Sequence, residues 1–306
     1  MDSPTWEARH MLAVVMSGAS NFGAMQAGAL EVLFEAGLRP QMAVGTSAGG
    51  LNAIWIAANP DPEGVRTLQS AWRNAGPKQV GVPTPLDAIH RLLRREDSVV
   101  SSESLSEFLR EELPEGIDTF GDLLALHSVP AYVTAIEMES GDLVVFGDRE
   151  TDRLIDGAMA TTAIPPYYPP WEMERGRYMD GGARSKLPIL IAIERGATSV
   201  VALNVSDAEG RSERASGVLG VSQYAVSLML REQTASEIRH THKDGIPTRV
   251  IELLPPPDVS FWDYTQPDRL IAEGLKQAQA QLEQAPLDLA VPLGARLMAW
   301  IRSLNL

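Results

Sequence analysis

The chain has 306 residues, no cysteine and a formal net charge of −14 at pH 7, with 44% hydrophobic and 22% charged residues. This composition excludes a globally disordered chain, disulfides and thiolate chemistry. It also argues against nucleic acid as a partner, because an acidic surface repels phosphates, and it leaves neutral, zwitterionic or soluble substrates open.

The N-terminal "MDSPTWEARH" lacks a hydrophobic signal core, and no apolar run approaches the ~20 residues of a spanning helix, so a soluble, cytoplasmic protein is expected. "MLAVVM" (residues 11–16) reads as a buried parallel strand, the loop "SGASNFG" follows, and residues 24–36 read as a helix. "QMAV" (41–44) is a second strand, and a helix follows Ser47 with Leu51, Ile54, Trp55 and Ala58 at helical spacing. Strand, tight loop and helix, repeated, is the pattern of a doubly wound α/β sheet.

Residues 61–127 hold polar helices and read as a helical cap or flank. "VPAYVTAIEM" and "GDLVVFGD" read as a hairpin around "ESGD". Beyond it come a helix near 152–160, the strand "RYMD", a helix near 188–195 and the strand "SVVALNV". A long helix (about 218–240), the strand "TRVIEL" and two C-terminal helices (266–306) complete one domain spanning 1–306, with its core in 11–205.

"GTSAG" (45–49) fits G-x-S-x-G between an apolar strand and an amphipathic helix. A serine at such a turn projects its hydroxyl above the sheet, small neighbours at −2 and +2 let strand and helix approach, and the helix amides face the serine. The same five residues also suit a purely structural Gly-Ser turn. "SGASNFG" (17–23) is not a P-loop, lacking Gly-Lys-Ser/Thr, and not a dinucleotide fingerprint, lacking the middle glycine. It suits a loop that donates amides to an oxyanion.

Ser47 needs a base. His10, His90, His127, His240 and His242 lie in tails, polar helices or loops and read as surface or structural residues. "YMDGG" (178–182) is the better source: Asp180 ends a strand, and burial raises a carboxyl pKa toward general-base use. Alone, Asp-Gly-Gly is commonly a surface turn.

Four blocks in order resemble the patatin-like phospholipases. They are "SGASNFGAMQAGALEVLFEAGL", "AVGTSAGGLNA", "MATTAIPPYYPP" and "YMDGGARSKLPILIAIERGATSVVALNV", covering about two thirds of the chain. The resemblance implies a three-layer α/β/α fold with a mostly parallel central sheet, and a serine acyl hydrolase with Ser47 as nucleophile and Asp180 as base. It aligns Gly18, Ala19 and Ser20 with the oxyanion loop, joined by the Ala48 amide. No cofactor is expected, and no metal, because the many carboxylates show no ligand spacing. The chain departs from the family's Gly-Gly-Gly-x-Arg/Lys-Gly at Ala19, Ser20 and Phe22. Alanine and serine are costly wherever positive φ is needed, and one lost oxyanion donor lowers turnover by ~10²–10³-fold. The alternative is a weakly active or non-catalytic lipid-binding protein. A malonyl-type acyltransferase would want a histidine.

The expected partner is a lipid or small ester. Phe22, Tyr167 and Tyr168 are expected at its pocket, although "IPPYYPPW" also suits a rigid surface loop. The helix at 292–306 has an apolar face that suits a lipid interface, another subunit or its own domain. "RLLRRE" suits lipid phosphates or a solvated face.

Overall fold

The computed structural model describes residues 11–83, 91, 93–94, 97–113, 116–206, 216–243 and 245–287, without the side chains of 218, 219, 223 and 242. In chain order the elements are β1 (Leu12–Met16), α1 (Gly23–Glu35), β2 (Met42–Thr46), α2 (Ala48–Ala58), α3 (Pro62–Asn74), α4 (Glu103–Glu112) and α5 (Phe120–His127). They continue with β3 (Ala131–Glu137), β4 (Leu143–Phe146), α6 (Leu154–Thr162), β5 (Trp171–Met173), β6 (Gly176–Asp180), α7 (Ile189–Glu194), β7 (Ser199–Val205), α8 (Gly217–Lys243), β8 (Thr248–Leu253) and α9 (Pro267–Gln284).

All five β1 residues are buried, and alternate side chains of a strand point to opposite faces, so β1 demands cover on both. Leu12, Val14 and Met16 pack with the buried residues of α1, α2 and α3, and with Leu270 and Ile271 of α9. Ala13 and Val15 pack on the other face with Ile189, Ile191 and Ala192 of α7, and with Ile238 of α8. Ten of the eleven α2 residues are buried, as expected for a helix that is apolar all round.

Strand order is β5-β6-β3-β2-β1-β7-β8, with β4 on β3. Neighbours from β3 through β8 are parallel, whereas β4 and β6 run antiparallel to β3, and β5 antiparallel to β6. The three-layer α/β/α architecture with a mostly parallel sheet is therefore observed.

Two local differences from expectation have simple causes. The end of the proline-aromatic stretch pairs as β5, where the Trp171 indole N–H donates to Asp156 Oδ1 at 3.0 Å. The helix expected near Asp152 begins at Leu154, because the Asp152 carboxylate is used elsewhere: it accepts from the Gly147 N–H (3.2 Å) and pairs with Arg175 (3.0 Å). Most of the polar helix expected at 85–96, including half of the basic stretch 91–96, lies outside the described residues, as do all of 292–306, His10, His90 and the His242 side chain. Among the described residues no helix is long and apolar enough to cross a membrane.

Strand β3 brings two strand ends together. Residues 133–136 pair with β4 along one edge. The opposite edge is shared: 131–134 pair with β2, and 135–137 with β6. Because β2 runs parallel to β3 and β6 antiparallel, their C-terminal ends meet head-on. Thr46 lies opposite Thr134, and Asp180 opposite the next residue, Ala135.

A hydroxyl chain locks this junction. Thr46 Oγ1 donates to the Ser185 carbonyl (2.8 Å), so its single proton is committed and Thr134 Oγ1 donates to Thr46 (2.6 Å). Thr46 and Thr134 are fully buried. Replacing Thr134 by valine keeps the shape and removes the donor. Its expected cost is about 1–2 kcal/mol of unfolding free energy, read as a lowered urea midpoint with an unchanged slope.

Candidate active site

Ser47 joins β2 to α2 with φ 57° and ψ −129°. A non-glycine residue there carries roughly 1–3 kcal/mol of strain that the surroundings must hold. The hold is visible: the Ser47 N–H donates to Thr161 Oγ1 at 2.8 Å, and the Ser47 carbonyl accepts from the Leu51 N–H at 3.1 Å. The glycines at −2 and +2 serve close approach. A Cβ on Gly45 would lie 2.0 Å from the Gly49 carbonyl oxygen, and one on Gly49 would lie 2.4 Å from that of Met16. Ala48 opens α2, whose first amides have no partner within the helix and favour negative charge beside the serine.

Asp180 ends β6 and is 5% exposed. Its N–H donates to the Ala163 carbonyl (2.9 Å), and its Oδ1 accepts from the Gly182 N–H (2.7 Å). A Cβ on Gly181 would lie 2.3 Å from Thr134 Oγ1, so this glycine lets the turn press against β3. Burial pushes the Asp180 carboxyl up to about 6, against the opposing pull of the Ser47 hydroxyl and the Gly182 amide. The hydroxyl is close enough to influence the carboxyl, yet Oδ2 is buried without a well-formed hydrogen bond among the described residues. Catalytic hydrogen bonds are often loose before substrate arrives.

The loop after β1 crosses beside the serine. A Cβ on Gly18 would touch the Ser47 Cβ at 3.4 Å. The Gly18 N–H itself donates to the Lys186 carbonyl at 2.9 Å. This corrects the expectation that Gly18 supplies an oxyanion amide: it ties this loop to the one after Asp180. The Ala19 N–H has no acceptor among the described residues. Ser20 opens a one-turn 3₁₀ helix whose first bond runs from the Phe22 N–H to the Ala19 carbonyl (3.1 Å). Ser20 is the residue of this loop that takes positive φ, at 50°, while Ala19 sits at −155°.

Ser20, Ser47 and Ala48 line a cavity of roughly 680 Å³, mouth included. Its walls come from Leu51 and Trp55 of α2, Leu68 and Trp72 of α3, and Leu105 and Phe108 of α4; Tyr168, Trp262 and Tyr264 close it. Among the described residues, no charged side chain lines it. Tyr168 is among the residues that line this cavity, and Phe22 and Tyr167 are not: Phe22 is buried against the Phe261 ring (6.4 Å between centroids), and Tyr167 packs at a tilt on Trp262 (4.3 Å), so both are spent on packing behind the wall. Of the histidines whose side chains are described, His127 is exposed at the end of α5, and His240 is exposed on α8 and bonded to the Ser236 carbonyl.

Several supporting residues are not evident from sequence motifs. Trp72 Nε1 donates to Asn52, Asn52 Nδ2 donates to Gln26, and Gln26 Nε2 donates to the Ser17 carbonyl, at 2.8–2.9 Å. This buried chain ties α3 to α2, α1 and the end of β1. Its signal was readable, since a lone Gln and a lone Asn inside apolar helices need buried partners. On the other face of the sheet, Gln233 and Glu237 of α8 hold the loop after Asp180. Glu237 accepts from Ser185 Oγ (2.6 Å), and Gln233 accepts from the Lys186 N–H (2.9 Å). Burial raises the Glu237 pKa.

A search of curated proteins found no match. Among solved structures the chain is similar to VipD from Legionella pneumophila, at 14% identity and TM-score 0.48, covering 90% of this chain and 67% of that one. It is also similar to a chain of the ExoU–SpcU complex from the type III secretion system of Pseudomonas aeruginosa, at 18% identity and TM-score 0.45, covering 90% of this chain and 51% of that one. The chain thus spans between half and two thirds of these neighbours. The family profile described as patatin-like phospholipase matches residues 14–193. That segment is more than half of the chain and contains the serine elbow, the first-strand loop and Asp180: the protein belongs to the patatin-like phospholipase family.

Proposed function

We propose that this protein is a serine acyl hydrolase that cleaves lipid carboxylic esters through an acyl-enzyme, with Ser47 as nucleophile and Asp180 as general base. The observation that carries this reading is the buried Asp180 carboxyl, influenced by the Ser47 hydroxyl and with its Oδ2 free of a well-formed hydrogen bond among the described residues, beside a serine held at a strained elbow.

In the first half-reaction the Ser47 proton passes to Asp180 as Oγ attacks the ester carbonyl. The amides of Ala19, Ser20 and Ala48 receive the developing oxyanion. The tetrahedral intermediate collapses, Asp180 returns its proton to the leaving alcohol, and an acyl-Ser47 ester remains. Water then attacks that ester with Asp180 taking its proton, and Asp180 returns that proton to Ser47 Oγ as the acyl–oxygen bond breaks and the carboxylic acid leaves. A carboxyl near pKa 6 is mostly ionised at neutral pH, yet it is a better base than an ordinary aspartate.

The cavity supports an acyl chain as occupant. Its polar groups are largely engaged within the protein: Asn52 by Gln26 and Trp72, Thr162 by the Ala158 carbonyl, Tyr168 by the Val80 carbonyl, and Tyr264 by Ser20. Ser47 is left to meet a ligand. A polar head group would lose hydration there without replacement, whereas methylenes would gain by burial.

With a chromogenic short-chain ester and a fluorophosphonate probe, Ser47→Ala is expected to abolish hydrolysis and labelling, and Asp180→Asn to lower turnover by ~10²–10⁴-fold. Full turnover in both variants would overturn the dyad. The wild-type kcat/KM should rise with pH and level off above about 6, where the base is ionised. The same pKa has a stability consequence. Because it is raised from 3.8 to about 6 in the folded state, the native protein holds the extra proton in that window, and its stability falls as pH rises through it. Asp180→Asn is therefore expected to gain stability over the wild type between pH 4 and pH 8, on the order of 2–3 kcal/mol, measured by chemical denaturation at both values.

A further inference from the structure

The oxyanion-loop sequence Gly18-Ala19-Ser20-Asn21-Phe22-Gly23 places side chains where a glycine-rich loop would have none, and Ser20, Asn21 and Phe22 each find a partner on one distant segment. Ser20 Oγ donates to the Phe261 carbonyl at 2.9 Å. Its proton is thereby committed, so the Tyr264 hydroxyl, 3.0 Å away, donates to Ser20. Burial pushes Tyr264 up to about 12, which keeps that hydroxyl a donor. Asn21 Nδ2 donates to the Ser260 and Asp263 carbonyls at 2.9 and 2.8 Å, and Phe22 packs edge-on against Phe261.

The segment that receives these bonds is itself fixed. The Asp263 N–H donates to the Ser260 carbonyl (2.9 Å), and Asp263 Oδ1 accepts from the Thr265 N–H (3.0 Å). It also forms part of the cavity wall, through Trp262 and Tyr264. These bonds converge on Ser20, the loop residue at φ 50°. A serine left to itself would relax toward negative φ and swing the neighbouring amides. Here its hydroxyl is clamped between a donor and an acceptor of residues 261–264.

We propose that residues 260–264 are a brace that sets the oxyanion amides, with Tyr264 as the positioning residue acting through Ser20. The side chains of Ser20 and Asn21 then do by hydrogen bonding what conformational freedom does in a glycine loop. Because the brace is also cavity wall, an acyl chain packed on Trp262 and Tyr264 presses on the element that holds the amides.

The proposal rests on the acyl hydrolase reading, so its test carries one readout that needs no turnover. Three variants, Tyr264→Phe, Ser20→Ala and Ser20→Gly, are compared by kcat and KM on a short-chain nitrophenyl ester and by amide hydrogen exchange of residues 17–23. Tyr264→Phe keeps the ring and removes the donor. It is expected to lower kcat about tenfold with KM within about twofold, and to speed exchange in 17–23. Ser20→Ala is expected to act likewise from the other side of the same bond, and it stands in if Tyr264→Phe does not fold. Ser20→Gly carries no penalty at positive φ, so added to Tyr264→Phe it is expected to recover at least about threefold in kcat. Unchanged kcat and exchange in Tyr264→Phe, a rise in KM alone, or no recovery with glycine would each overturn the brace. If the wild type hydrolyses no ester, the functional reading fails and the exchange rates alone decide the brace: faster exchange upholds it, unchanged exchange sinks it.

Discussion

The site depends on one strand edge. Ser47 and Asp180 are far apart in sequence, yet β2 and β6 end against consecutive residues of β3, Thr134 and Ala135. A parallel and an antiparallel strand sharing one edge must point their C-terminal ends at each other. The serine that follows β2 and the aspartate that ends β6 therefore arrive at the same place. A β-register shift of one residue would turn every side chain of a strand to the wrong face, which makes this convergence strongly specified by the core on both sides of the sheet.

Around that junction, polar groups tie separate loops together. The Gly18 amide reaches the Lys186 carbonyl, Thr46 reaches the Ser185 carbonyl, and Gln233 and Glu237 of α8 hold the same loop from the far face. The first-strand loop is fastened in turn to residues 260–264. Such networks suit a catalytic centre, because buried donors aimed in advance cost no reorganisation during the reaction. They also explain how two serines, Ser20 and Ser47, persist at positive φ: each is held by bonds to elements distant in the sequence.

The cavity shows a second use of separation. The chain is strongly acidic overall, yet no charged side chain among the described residues lines the space above Ser47. Burial is the largest influence on the Asp180 carboxyl and keeps its pKa high. The apolar walls leave room for methylenes beside Ser47, and burial makes Asp180 a more basic aspartate.

Local pattern was enough for much of this. Apolar runs and helical spacing located β1, α1, β2, α2, the β3–β4 hairpin and β7, because burial on one or both faces leaves a periodic imprint in the sequence. The steric demand of the elbow was legible at Gly45 and Gly49, and Asp180 stood out as a strand end followed by glycines. The short strand β5 and the true start of α6 were not legible, since a Trp171–Asp156 bond and the use of Asp152 decided them.

What the sequence by itself determined, then, was the alternation of strands and helices and the identity of the two reactive candidates, because sterics and periodicity act over a few residues. Only the tertiary structure decided that the Ser47 hydroxyl lies close enough to influence the Asp180 carboxyl, that the Gly18 N–H is tied to the Lys186 carbonyl, that α3 and α4 wall the cavity while Phe22 and Tyr167 pack behind it, and that residues 260–264 bond to the loop after β1. Each of these rests on register or on hydrogen bonds between residues far apart in the chain, and such pairings leave no imprint on local sequence.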